Sequence, residues 1–347
     1  MTAMVKARLL AFFLFQSRQS VPVSHRWAAC RAPERIPDNS IMITTKSLQW
    51  LACLALALCC ACTPKNGPTP LAQARQGLQT HVNYSTGGSS AAPTPPASVF
   101  QKLTYPSAVG ALAAYLTPNP NDSAKHPAII WITGGDSNSI DNLWNPAPPS
   151  NDQSAAAYRK AGIVMMFPSL RGGNDNPGRH EAMFGEVDDV LAAFDFLAKQ
   201  PYVDPDRIYL GGHSTGGTLA LLTAEMRNPF RAVFAFGPAA HIAGYGRDLF
   251  PVDFNAISEL EARVRSPAYW LDSARGQVYV IEGADAPGNI RALTAMKDIS
   301  KNASLHFIPV SGANHFSVLA RSNERIAAKI LQDTPSQKKF ELTQADL

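Results

Sequence analysis

The chain has 347 residues, of which 46% are hydrophobic and 17% charged, enough apolar content for one large α/β domain and too much for a chain disordered throughout. Its formal charge of +4 is concentrated at one end: the first 61 residues hold seven Lys/Arg and two acids, a net of +5, which leaves −1 on everything that follows. No basic face remains to bind nucleic acid.

Residues 1–41 precede a second methionine, Met42, from which the chain reads as an export signal. Lys46 is followed by an apolar run from Leu48 to Ala61 and then by Cys62. The run is too short to cross a bilayer as a helix. It looks like a bacterial lipoprotein signal, cleaved between Ala61 and Cys62 with Cys62 lipidated, although Cys59 stands where leucine is usual. Because signals begin at the N-terminus, 1–41 is expected to be an extension ahead of the true start at Met42, and 42–61 the signal peptide. The expected location is exported and lipid-anchored in the cell envelope, on the periplasmic side or outer membrane. All five cysteines lie at or before Cys62, which excludes a disulfide framework or a Cys-based metal site beyond it.

Residues 62–97 are rich in Pro, Gly, Ser, Thr and Ala, as in "STGGSSAAPTPPAS", and read as a flexible tether. The folded domain is expected over 98–335, followed by a polar tail over 336–347. Apolar runs at 110–117, 127–133, 162–168, 207–212, 231–237, 276–283 and 304–310 predict strands. Helical patterns at 186–200, 216–228 and 317–333 alternate with them. Short strands apolar on both sides, separated by amphipathic helices, predict a mostly parallel sheet covered on both faces. Active residues in such sheets collect at the carboxyl ends of the strands.

The strand 127–133 leads into Gly134-Gly135, where bare backbone permits close approach to a substrate; the amide of Gly135 is expected to be one oxyanion donor. The strand 207–212 leads into "GGHSTGG", in which Gly212-His213-Ser214-Thr215-Gly216 is G-x-S-x-G between a strand and a helix. This turn exposes a serine hydroxyl at a helix N-terminus, where the amide of Thr215 and the helix dipole stabilise an oxyanion. A phosphate-binding loop would need a lysine where Gly217 stands. Ser214 needs a base. His213 adjoins it, but neighbours on a tight turn project in different directions, so His213 is expected to pack near the elbow. His315, in "SGANHF" after the strand 304–310, is the expected base. His306, inside that strand, is expected to be structural. The acid that orients the base is expected to be Asp285, after the strand 276–283, with Glu282 at the strand's end as the alternative. The order Ser214, Asp285, His315 is the one α/β-hydrolases use. Residues 241–272 are expected to form a small lid, with His241 a candidate for the pocket lining.

With "PSLRGGN" (168–174), "GEVDDVLAA" (185–193), "YVDPDRIYLGGHSTGG", "RSPAYW" (265–270) and "GANHF", these features resemble the catalytic domain of the prolyl oligopeptidase family of serine peptidases over about 98–333. The resemblance implies an α/β-hydrolase fold and a Ser214–Asp285–His315 triad. Members with a tyrosine oxyanion donor carry it near Thr133; threonine there leaves the backbone amides. No blade-length repeats occur, so no β-propeller is expected.

The expected activity is hydrolysis of an acyl bond through an acyl-enzyme, on a small peptide or ester and without cofactor or metal. A prolyl-oligopeptidase-like peptidase is the first expectation, and a carboxylesterase of small esters the second. A third is a catalytically silent lipoprotein that serves in binding or as a scaffold.

Overall fold

The computed structural model describes residues 67–85, 90–334 and 336–347. The expected extension 1–41, the signal 42–61 and Cys62 lie outside these residues.

Eight strands form one sheet in the order β1-β2-β4-β3-β5-β6-β7-β8. They are β1 (Gln101–Ser107), β2 (Gly110–Leu116), β3 (His126–Ile132), β4 (Val164–Pro168), β5 (Val203–His213), β6 (Val233–Phe236), β7 (Val278–Gly283) and β8 (Leu305–Val310). β1 pairs antiparallel with β2, and β2 with β4; all other pairs are parallel. Seven of the strands coincide with the apolar runs. β1 does not, because it is an edge strand with Tyr105 its one fully buried residue, and an edge strand needs no continuous apolar run.

Strand alternation divides the core in two. Ala128, Ile130, Val164, Met166, Ile208, Leu210, Val278 and Val280 point to one face. Ile129, Trp131, Met165, Phe167, Tyr209, Tyr279 and Ile281 point to the other. The helices over the first face are α1 (Pro70–Arg75), α3 (Glu186–Leu197), α4 (Thr215–Met226) and α6 (Ile290–Ile299); α2 (Ala156–Lys160) and α7 (Val318–Gln332) cover the second. The short α5 (Glu259–Arg263) belongs to the 241–272 insert, whose Ile242, Tyr245, Phe250, Phe254, Val264 and Leu271 join the first core.

The tether expectation is corrected for the described part of 62–97. Thr69 caps α1 and also donates to the carbonyl of Met226. Leu71 is fully buried, and Arg75 donates to the carbonyls of Met183, Phe184 and Val264. Further on, Glu261 accepts from the His81 amide and the Thr80 hydroxyl, and Tyr84 pairs with His180 through the backbone. Composition suggested a linker, but a few buried anchors hold this strap on the domain. The tail 336–347 is likewise anchored by Phe340, Leu342 and Leu347.

β3 is where the strand order reverses: β4 lies on one side of it and β5 on the other. In open α/β sheets, ligand sites form at such a reversal, outside the carboxyl ends of the strands.

Candidate active site

Ser214 sits between β5 and α4 with φ 56° and ψ −111°, a strained setting for a residue with a side chain and the one a nucleophile elbow imposes. Its amide donates to the carbonyl of Phe236 at 2.7 Å. Gly212 is required: a Cβ there would overlap the backbone of Gly216. One turn into α4, the Thr218 hydroxyl donates to the Ser214 carbonyl at 3.1 Å and accepts from the Ala239 amide at 2.8 Å. With its own proton committed, that hydroxyl receives the phenol of Tyr245 at 2.5 Å. The phenol also hydrogen-bonds the Ser214 side chain. Burial raises the Tyr245 pKa far above its usual 10.0, so the phenol stays protonated.

His315 is wholly buried, in the loop between β8 and α7. Its amide donates to the Pro287 carbonyl at 3.0 Å, and its Nδ1 lies 2.9 Å from Oε2 of Glu282. Glu282, also wholly buried, accepts from the amides of Gly283 at 2.8 Å and Asn289 at 3.2 Å. A carboxylate so placed holds the imidazole proton on Nδ1 and leaves the lone pair on Nε2, the tautomer a general base needs. Gly237, directly after β6, lies against both groups; a Cβ there would come within 2.5 Å of the ring Nδ1 and 2.6 Å of Glu282 Oε2.

The expectation of Asp285 as the partner of His315 is corrected. Asp285 is exposed, in the loop beyond β7, and its amide bonds the Ala313 carbonyl. Glu282 is still on β7, in register with Pro309 of β8, and its longer side chain reaches the ring from the strand itself. His241 is exposed on the insert, edge-on to Tyr269 with ring centroids 5.1 Å apart. His306 stacks on Tyr279 and contacts Gln277, a structural setting.

The two expected oxyanion residues are tied together: the Thr215 hydroxyl donates to the Gly135 carbonyl at 3.0 Å. Gly135 has φ +82°, in the left-handed region that favours glycine. Gly134 presses on the elbow, where a Cβ would come within 2.7 Å of His213 Nδ1 and 3.2 Å of the Ser214 Cβ. Its amide donates to Oε1 of Gln153 at 3.0 Å. Sequence reasoning missed Gln153 and Tyr245, since neither lies in a motif. Among the described residues no group of three or more His, Cys, Asp or Glu is placed to hold a metal ion.

The sheet, its two helical layers and a serine on a strand-turn-helix elbow define an α/β-hydrolase fold. Residues 149–278 match the model of the prolyl oligopeptidase family. The chain is 31% identical over 154 residues to the dual function macrocyclase-peptidase of Galerina marginata, a match that covers 38% of this chain and 20% of that protein. Dipeptidyl peptidase 4 of Porphyromonas gingivalis shares the fold with a TM-score of 0.52 at 19% identity, over 68% of this chain and 35% of its own. A puromycin hydrolase does so with a TM-score of 0.54 at 17% identity, over 71% and 41%. This chain therefore spans less than half the length of each of these three.

Proposed function

We propose that the protein is a serine hydrolase that cleaves peptide bonds in small substrates. The observation that carries this reading is the buried 2.9 Å pairing of His315 Nδ1 with Glu282, beside an elbow serine in a domain of peptidase relatives. Ser214 attacks the carbonyl carbon while Nε2 of His315 takes its proton. Glu282 holds the ring and stabilises the imidazolium, and the amides of Thr215 and Gly135 receive the oxyanion. The imidazolium then protonates the leaving amine, giving an acyl-enzyme on Ser214. Water attacks the ester with His315 again as base, releasing the acid and restoring the serine.

The test is labelling and turnover. A fluorophosphonate labels the wild-type protein and not Ser214→Ala, and the substitution lowers kcat on the order of 10⁴–10⁶-fold. Unchanged turnover by Ser214→Ala overturns the proposal. Aminoacyl and prolyl nitroanilides set against p-nitrophenyl esters separate peptidase from esterase; hydrolysis of esters alone overturns the peptide reading. Lipid attachment at Cys62, with an envelope location, is part of the same proposal. It rests on the sequence around Ala61-Cys62 and predicts palmitate incorporation that Cys62→Ala abolishes.

A further inference from the structure

The histidine beside the nucleophile has no place in the mechanism above, yet it is among the most fully engaged side chains of the site. His213 ends β5 with 1% of its surface exposed. Its Nδ1 lies 2.7 Å from Nε2 of Gln153, and its Nε2 lies 2.9 Å from the carbonyl of His315. The two rings are 4.4 Å apart between centroids.

The proton positions along this line follow from its ends. The Gly134 amide can only donate, so the Gln153 atom facing it is the oxygen, at 3.0 Å. The Gln153 amide nitrogen therefore faces His213, and it also donates to Asn151 Oδ1 at 2.8 Å. An NH₂ group can only donate, so His213 Nδ1 accepts. The His315 carbonyl can only accept, so His213 Nε2 carries the proton. Both ring nitrogens are satisfied in one neutral tautomer. A protonated ring would set an Nδ1–H against the Gln153 NH₂. Burial, with His315 beside it, in fact holds the His213 pKa well below the usual 6.5.

The result is a continuous line of hydrogen bonds, from the Gly134 amide through Gln153 and His213 to the His315 carbonyl. It joins the loop after β3 to the loop after β8, which the sequence separates widely and which carry the oxyanion amide and the base. An apolar side chain of similar size would fill the space without connecting them.

We propose that His213 is a positioning residue, a neutral strut that sets the separation between the oxyanion loop at Gly134–Gly135 and the base His315. The proposal rests on the reading of Ser214 and His315 given above. The strut touches no substrate; it holds two groups that must be aligned with the reacting carbonyl at the same moment.

The experiment compares wild type, His213→Leu, Gln153→Leu and the double variant, with active sites titrated by fluorophosphonate so that kcat is expressed per competent site. Cutting the line at His213 lowers kcat about 10- to 100-fold, the scale of a misplacement near one ångström, while KM stays within about threefold. Gln153→Leu, on the half-buried turn before α2, produces a loss of the same kind even where His213→Leu folds poorly. The double variant is no slower than the slower single one, because one line can be cut only once. A long-range ¹H–¹⁵N spectrum of the wild type finds the His213 proton on Nε2. Wild-type kcat per site in either single variant, multiplicative losses in the double, or a proton on Nδ1 overturns the strut. Wild-type protein that is not labelled at Ser214 overturns the strut and the mechanism together, whereas labelled, fully active His213 and Gln153 variants overturn the strut alone.

Discussion

Glu282 meets His315 at 2.9 Å with no solvent exposure on either side chain, three positions upstream of Asp285, the acid first expected in that role. The buried carboxylate has two backbone amides as further donors, so an isosteric change acts on the ring more than on packing. Glu282→Gln is expected to lower kcat about 10³–10⁴-fold, the scale of a wrong imidazole tautomer. Asp285→Asn is expected to stay within about twofold, as befits an exposed loop side chain. Kinetics of both variants on one chromogenic substrate decide between them; the reverse ranking would return the role to Asp285.

Tyr245 brings the insert into direct contact with Ser214. Removing its hydroxyl breaks one bond to Thr218 and one to the Ser214 side chain, while Thr218 keeps the Ser214 carbonyl and the Ala239 amide. Tyr245→Phe should therefore cost about 1–3 kcal/mol of stability, the net value of two hydrogen bonds. Its effect on the rate of Ser214 phosphonylation should be that of the single bond to Ser214, about 2- to 10-fold. Urea unfolding and labelling kinetics measure the two separately.

Glu225, on α4, is fully buried and neither carboxylate oxygen has a partner. Burial drives its pKa well above the usual 4.5, with the charge of Arg75 opposing. A raised carboxyl pKa means that the native state holds the proton more tightly than the unfolded chain. Stability is then lost as pH climbs from 4.5 toward the folded value. Glu225→Gln removes this dependence. The variant should gain on the wild type as pH rises above about 4.5 in thermal melts; a gap that is constant or shrinks with rising pH would refute the assignment.

Arg75 anchors the strap through three carbonyls, those of Met183, Phe184 and Val264. Burial brings its pKa down only to about 10, so it remains charged at neutral pH. Arg75→Met leaves these acceptors without their donor and should cost about 2–5 kcal/mol, more than any exposed arginine would. The readout is the urea midpoint at constant m-value.

Several features were legible in the sequence because they are local. Seven strands announce themselves as apolar runs: β2 to β7 lie inside the sheet, and the edge strand β8 still buries Leu305, Ile308 and Val310. The elbow is legible because Gly212 and Gly216 have to be glycine for the chain to turn there. Other features were not. β1 lies at an edge and is mostly exposed, so nothing forces an apolar run on it. α6 buries only Leu293 and Met296, too few contacts to leave a clear helical period. The strap resembles a linker because a few anchoring residues among Pro, Gly and Ser weigh little in a composition.

By itself, then, the sequence determined the fold class, the turn that carries Ser214 and the loop that carries His315, since each follows from the periodicity or spacing of neighbours. Tertiary structure alone decided which carboxylate meets His315. Asp285 and Glu282 are three residues apart and equally acidic, and only the register of β7 against β8 buries one and exposes the other. It also decided what His213 does. The tight turn beside Ser214 said only that this histidine packs near the elbow and is not the base. Burial between a glutamine amide and a carbonyl 102 positions downstream makes it a neutral link, because hydrogen-bond donors and acceptors are matched in space and not along the chain.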